Sequence, residues 1–127
     1  MPQIWLSGRI PSKKNSRRIV TANGRPRLLS SKEYLAWERG ALLEIRAGWE
    51  EKKIIKCKSI TYDFMFPCKR VRDLSNAVEG VNDTLVRAGV LLDDNWQITG
   101  DVILTGQLAN NKADAGVLVT FKGAEYE

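Results

Sequence analysis

The sequence contains no histidine. That absence removes imidazole as a general acid or base, the Ser-His and Cys-His nucleophile pairs, and histidine-ligated metal sites. Cysteine is scarce: Cys57 and Cys68 stand apart without C-x-x-C spacing, which argues against zinc and leads us to expect a soluble, cytoplasmic protein. Long apolar runs are missing too. None approaches the roughly 20 residues that span a bilayer, so no membrane partner is expected. The opening segment MPQIWLSGRIPSKKN reads as a short strand and a basic loop rather than a signal peptide. No internal repeat or low-complexity stretch is visible. The chemistry left to such a chain runs on carboxylates, lysines, hydroxyls or a hard, oxygen-ligated metal such as Mg²⁺.

What remains is enough for one folded domain. At 127 residues and 43% hydrophobic content, the chain can bury a core, and residues 1–127 read as a single unit. Its charge is unevenly spread. The first 32 residues hold eight basic side chains (Arg9, Lys13, Lys14, Arg17, Arg18, Arg25, Arg27, Lys32) and no acid, whereas residues 73–127 hold nine acids against three bases. A basic front half and an acidic back half suggest a polyanion-binding surface beside a carboxylate cluster. A solvated, accidentally asymmetric surface is the plainer alternative.

Local patterns order the elements. Residues 3–9 read as a strand, and Arg18-Ile19-Val20 is predicted to pair with Arg27-Leu28-Leu29 across an Asn23-Gly24 turn. Ser30 with Glu33 resembles a capping box, and Tyr34, Trp37, Ala41, Ile45 and Trp49 recur at helical spacing, so residues 31–49 should form an amphipathic helix with those side chains in the core. Alternation over residues 56–66 argues a strand, ended by Pro67. A second helix from about Ser75 to Ala88, with Val78, Val81, Leu85 and Ala88 on its buried side, is stopped by Gly89. Residues 101–106 and 116–122 look like a closing strand pair around a polar loop. The whole reads as an α+β domain, a mixed sheet packed against two main helices.

The dense stretch is Arg72-Asp73-Leu74-Ser75-Asn76-Ala77-Val78-Glu79-Gly80-Val81-Asn82-Asp83-Thr84-Leu85, then Ala88-Gly89 and Leu92-Asp93-Asp94-Asn95. Asp73 falls at a strand-to-helix junction, Glu79 and Asp83 share a helix face, and Asp93-Asp94 returns from the next turn. Carboxylates converging beside a basic surface can hold Mg²⁺, which activates water and offsets charge developing on a phosphate. Equally, Asp73 can be a helix cap and Asp93-Asp94 the start of a turn.

Asp-Leu-Ser-Asn, Asp-Thr-Leu, Ala-Gly and Leu-Asp-Asp together resemble the signature of the RusA family of Holliday junction resolvases, without gaps from Asp73 to Asp94. A weaker likeness covers residues 10–15 and the helix around Tyr34. The resemblance implies a homodimeric, Mg²⁺-dependent (Mn²⁺ as a substitute) crossover junction endodeoxyribonuclease of bacteria or their phages. Such an enzyme cuts four-way DNA junctions in recombination and repair, with no organic cofactor. Asp73 then matches the first essential carboxylate and Asp94 the later one, with Asp93 its neighbour and Asn76 the asparagine of the motif.

Two positions depart from the pattern: Ser75 stands where a second aspartate is usual, and Glu79 where a lysine is usual. One turn apart, they share a face, so Glu79 can supply the carboxylate that position 75 lacks. The resemblance therefore implies Asp73, Glu79 and Asp94 as catalytic carboxylates and Asp73, Glu79, Asp93 and Asp94 as metal ligands. The missing cation's role falls to the metal and to Lys69, Arg70 or Arg72. Lys13, Lys14, Asn15, Arg17, Arg18, Lys69, Arg70, Arg72 and Asn76 are the expected DNA contacts. The rival readings are a non-catalytic nucleic-acid-binding module on the same fold and a small RNA-binding protein; the latter leaves the carboxylates unexplained.

Overall fold

A computed structural model describes residues 1–11, 17–22, 24–30 and 32–127, without side-chain detail for 17–22 and 25–30. A four-stranded mixed sheet runs in the order β1 (Gln3–Ser7), β7 (Gly116–Lys122), β5 (Ser59–Phe66), β6 (Asp101–Leu108). Two long helices, α1 (Lys32–Gly48) and α2 (Leu74–Arg87), pack near its two edges, α1 beside β1 and α2 beside β6. Between them lies the core. The inward set is Ile4 and Leu6 of β1, Ile60, Tyr62 and Phe64 of β5, and Val117, Val119 and Phe121 of β7; α1 adds Tyr34, Ala41 and Ile45, and α2 adds Ala77, Val81 and Leu85, all buried. Burying each large apolar side chain contributes roughly 1.5–3 kcal/mol before ordering costs. Trp37 and Trp49 lie half-buried against this cluster, as the spacing of α1 predicts.

The predicted hairpin forms as β2 (Arg17–Ala22) and β3 (Arg25–Ser30), with Arg18 opposite Leu29 and Val20 opposite Arg27. Gly24 takes the turn at φ 73°, while Asn23 lies outside the described residues. Ser30 is the last residue of β3 rather than the first of the helix, α1 begins at Lys32, and Ser31 lies outside the described residues. The strand predicted over 56–66 divides into β4 (Ile54–Lys56) and β5, and β4 pairs with β8 (Glu125–Tyr126). A short helix, α3 (Trp96–Thr99), was not evident from the sequence.

The closing strand pair needs correction. β6 and β7 do not pair with each other: β6 runs parallel to β5, and β7 inserts antiparallel between β1 and β5. The reason is burial. Val117, Val119 and Phe121 are fully enclosed and need strands on both sides, whereas β6 is exposed along nearly its whole length and takes an edge. Parallel pairing of β5 and β6 needs a crossover, and α2 supplies it. Gly116 is required where β7 meets β1, because a Cβ there would lie 2.5 Å from the Leu6 carbonyl and 2.6 Å from the Trp5 ring. Among the described residues no helix is long and apolar enough to cross a membrane.

Candidate functional site

α2 begins at a cap. Asp73 has extended backbone, and its Oδ1 accepts the Ser75 N–H at 3.0 Å and the Ser75 hydroxyl at 2.7 Å. Both Asp73 and Ser75 are thereby held at the helix N-terminus, where a carboxylate is favoured by the dipole. Asp73 lines a cleft of about 450 Å³ with Arg9, Arg70, Arg72 and Asn76, and Glu33 lines it too. Arg72 is fixed in this cleft: its guanidinium donates to the carbonyls of Cys68 (3.0 Å) and Arg70 (3.2 Å) and lies 4.9 Å from the centre of the Phe66 ring. The same loop holds Cys68, whose thiol is lowered from its usual range by the Arg70 backbone and then by Arg72. Cys57, by contrast, is buried and pushed up to about 11.

The other end of α2 builds a second cavity. Gly89, at φ 81°, turns the chain out of the helix, and Leu91 bridges to Ile54, which delivers residues 93–95 beside the last turns of α2. This cavity, of about 470 Å³, is lined by Tyr34, Leu35 and Glu38 of α1, Asp83, Val86 and Arg87 of α2, and Asp93 and Asp94. Ten residues separate Asp73 from Asp83, so the two ends stand about 15 Å apart along the helix axis.

Asp93 is locked in a turn. Its Oδ1 accepts the Asp94 N–H at 2.8 Å and its Oδ2 accepts the Asn95 amide at 3.1 Å, while Asn95 itself caps α3 by accepting from the Gln97 N–H at 3.1 Å. The bond from the Asp94 backbone, then that from Asn95, holds Asp93 below the ordinary carboxylate range. Asp94 shifts the other way, raised first by partial burial, then by its hydrogen bond with Asp93 and by the charges of Asp93 and Asp83. Behind them, Glu38 is buried inside the apolar stripe of α1. It accepts the Tyr34 hydroxyl at 3.2 Å and Arg87 Nη1 at 2.5 Å. Burial pushes the Tyr34 phenol up to about 12, reinforced by the Glu38 charge. The Tyr62 hydroxyl donates to Asn82 Oδ1.

The expected carboxylates are therefore divided. Asp93 and Asp94 share a cavity; Asp73 caps the far end of α2 among arginines; Glu79, half-buried between them, lines neither space. Among the described residues no three acidic or cysteine side chains form a group able to hold a metal by themselves. The donor chemistry of the second cavity still suits Mg²⁺, which needs only one or two carboxylates when water and phosphate complete its shell. Asp94 is raised first by desolvation and only then by Asp93 and Asp83, and a cation placed among these three carboxylates would offset their mutual repulsion. Arg70, Arg72 and Asn76 come together in the first cleft, and Lys69 is exposed on the same loop. Lys13, Lys14 and Asn15 lie outside the described residues, and of Arg17 and Arg18 only the backbone of β2 is described.

Sequence reasoning had Arg9 in the basic front half and Asp83 on the helix face with Glu79, but it missed Glu38 and Arg87. Two signals were present: an acid inside the apolar stripe of α1 requires a partner, and Glu79, Asp83 and Arg87 follow at successive four-residue steps.

No protein-family profile matches the chain. The crossover junction endodeoxyribonuclease RusA of Aquifex aeolicus (strain VF5) is 27% identical to it over 93 residues, which cover 73% of this chain and 71% of that protein. The chain is thus distantly related to the RusA Holliday junction resolvases.

Proposed function

We propose that this protein is a Mg²⁺-dependent, structure-selective endodeoxyribonuclease that cuts four-way DNA junctions during recombination and repair in a bacterial or phage-infected cytoplasm. The observation that carries this reading is the arrangement along α2: an arginine-rich cleft at one end and, at the other, a cavity lined by Asp83, Asp93 and Asp94. Arg9, Arg70 and Arg72 supply cations for the phosphate backbone, and the tethering of Arg72 lowers the ordering cost of its binding to phosphate. Asp93 and Asp94 would hold the metal, with Asp83 beside them. When bound, such an ion supplies a water of lowered pKa and polarises a phosphoryl oxygen. The family resemblance names Asp73 and Glu79 as further carboxylates for cleavage, whereas in this structure Asp73 lines the arginine cleft and Glu79 lines neither space.

Two opposed cuts need two sites related by a two-fold axis, hence a homodimer. The β6 edge supports one: Val102, Ile103 and Leu108 are 45%, 47% and 49% exposed, and the strand carries no lysine, arginine or proline to blunt its edge.

A non-catalytic junction-binding module is the second reading. It is favoured by Asp73 being engaged as a cap with Ser75 and by the division of the carboxylates. A synthetic four-way junction incubated with the protein, with and without Mg²⁺ or Mn²⁺, separates the two. Metal-dependent, symmetrically placed nicks are expected; tight binding with no cleavage under either metal overturns the nuclease reading.

A further inference from the structure

The second cavity has a charge problem. Asp83, Asp93 and Asp94 line it, and a phosphodiester entering it meets three carboxylates. Lys69, Arg70 and Arg72, the cations the sequence offered, belong to the loop at the other end of α2. Among the described residues the basic side chain lining the acidic cavity is Arg87.

Arg87 is held in an asymmetric pair. Its side chain is 65% exposed, whereas that of Glu38, 2.5 Å away, is only 8% exposed. The buried partner fixes the guanidinium, and Glu38 is itself oriented by the Tyr34 hydroxyl at 3.2 Å. One Arg87 nitrogen makes the bond to Glu38, and a guanidinium carries five N–H donors in a rigid fork. The remainder suit the paired anionic oxygens of a phosphodiester.

We infer that Arg87 grips the non-bridging oxygens of the scissile phosphodiester at the mouth of the Asp83/Asp93/Asp94 cavity, and that Glu38 is its positioning residue. The inference rests on the nuclease reading above and names the cation of that site. Arg87 offsets the cavity's negative charge on substrate entry and meets the charge that grows on phosphorus oxygens as the bond breaks.

The test compares the parent, Arg87→Ala and Arg87→Lys in three measurements: single-turnover cleavage of a four-way junction with Mg²⁺, junction affinity in EDTA, and thermal melting. Arg87→Ala should slow cleavage by about a hundredfold. Its affinity in EDTA should fall only a few-fold, because the backbone cleft is intact. Arg87→Lys should recover part of the rate, and millimolar guanidinium chloride should restore Arg87→Ala where sodium chloride at equal ionic strength does not. Cleavage by Arg87→Ala at the parental rate overturns the inference. So does a loss that neither lysine nor guanidinium repairs, since that is the mark of a structural strut. A parent that cuts no junction under either metal fails earlier and sinks the nuclease reading, and this inference with it.

Discussion

Asp93 accepts the backbone N–H of Asp94 at 2.8 Å, and these neighbouring carboxyls are shifted in opposite directions, Asp93 down and Asp94 up. A carboxyl raised in the folded state binds its proton more tightly there than in the unfolded chain. Ionisation of Asp94 therefore opposes folding, and its contribution to stability is present at low pH and lost as pH rises through its folded value. Asp94→Asn should melt higher than the parent at neutral pH, with the gap closing below about pH 3.9, the unfolded value. Asp93 is the reverse: it adds stability above the unfolded value that is lost as pH falls through its lowered folded one, so Asp93→Asn should melt lower at neutral pH. Mg²⁺ should raise the melting temperature of the parent and leave Asp94→Asn unmoved, and Asp94→Asn should not cleave. Melting curves at two pH values, with and without Mg²⁺, and a cleavage assay check all of this.

At the other end of α2, Asp73 is both cap and expected site carboxylate. Asparagine caps as well as aspartate, so Asp73→Asn should keep the parental melting temperature and lose cleavage. Asp73→Ala should lose cleavage and also about 0.5–2 kcal/mol of stability. Denaturant unfolding and cleavage kinetics measure both; cutting by Asp73→Asn within about threefold of the parent removes Asp73 from the site.

Ser75 donates its hydroxyl to Asp73 at 2.7 Å, one helical turn before Glu79. Replacing Ser75 with aspartate therefore sets two carboxylates against each other. Ser75→Asp alone should destabilise the start of α2, while Ser75→Asp with Glu79→Lys supplies a cation one turn on and should recover both fold and measurable cutting. Glu79→Gln and Glu79→Lys alone should lose most activity. Glu79→Gln cutting at the parental rate leaves Asp73, Asp93 and Asp94 as the carboxylates of the site.

Charge reversal in the first cleft, Arg9→Glu with Arg70→Glu, should weaken junction affinity and flatten its salt dependence, by roughly one unit of slope for each phosphate no longer neutralised. The same change at Lys13 and Lys14 tests the sequence-based expectation for that loop. Titrations at several salt concentrations give the slopes, and an unchanged slope in both variants puts the DNA elsewhere.

Ile103 is 47% exposed on the β6 edge. Ile103→Lys should convert a dimer to a monomer in light scattering while leaving the melting transition cooperative, and it should turn paired incisions into single nicks. A dimer that survives this change uses another surface.

Much of the fold was legible from neighbours in the chain. The period of α1, the alternation of β5, the stop at Gly89 and the Asp73 cap all rest on residues two to four positions apart, where sterics and local hydrogen bonds decide. The hairpin register followed from the turn at Gly24. Strand order did not, because a short polar loop between two apolar strands reads as a hairpin whether or not its strands pair; the need to enclose Val117, Val119 and Phe121 on both sides settled it. The site divides in the same way. Asp73, Asp83, Asp93, Asp94, Arg70 and Arg72 were named by the sequence, but Glu38 and Arg87, paired across 49 residues, and the assignment of Asp94 and Asp73 to opposite ends of α2 came only with the packed structure. Local propensity acts over a single turn. Which charges share a space depends on how α1 and the 93–95 turn close against α2, and burial of apolar faces across the whole chain decides that.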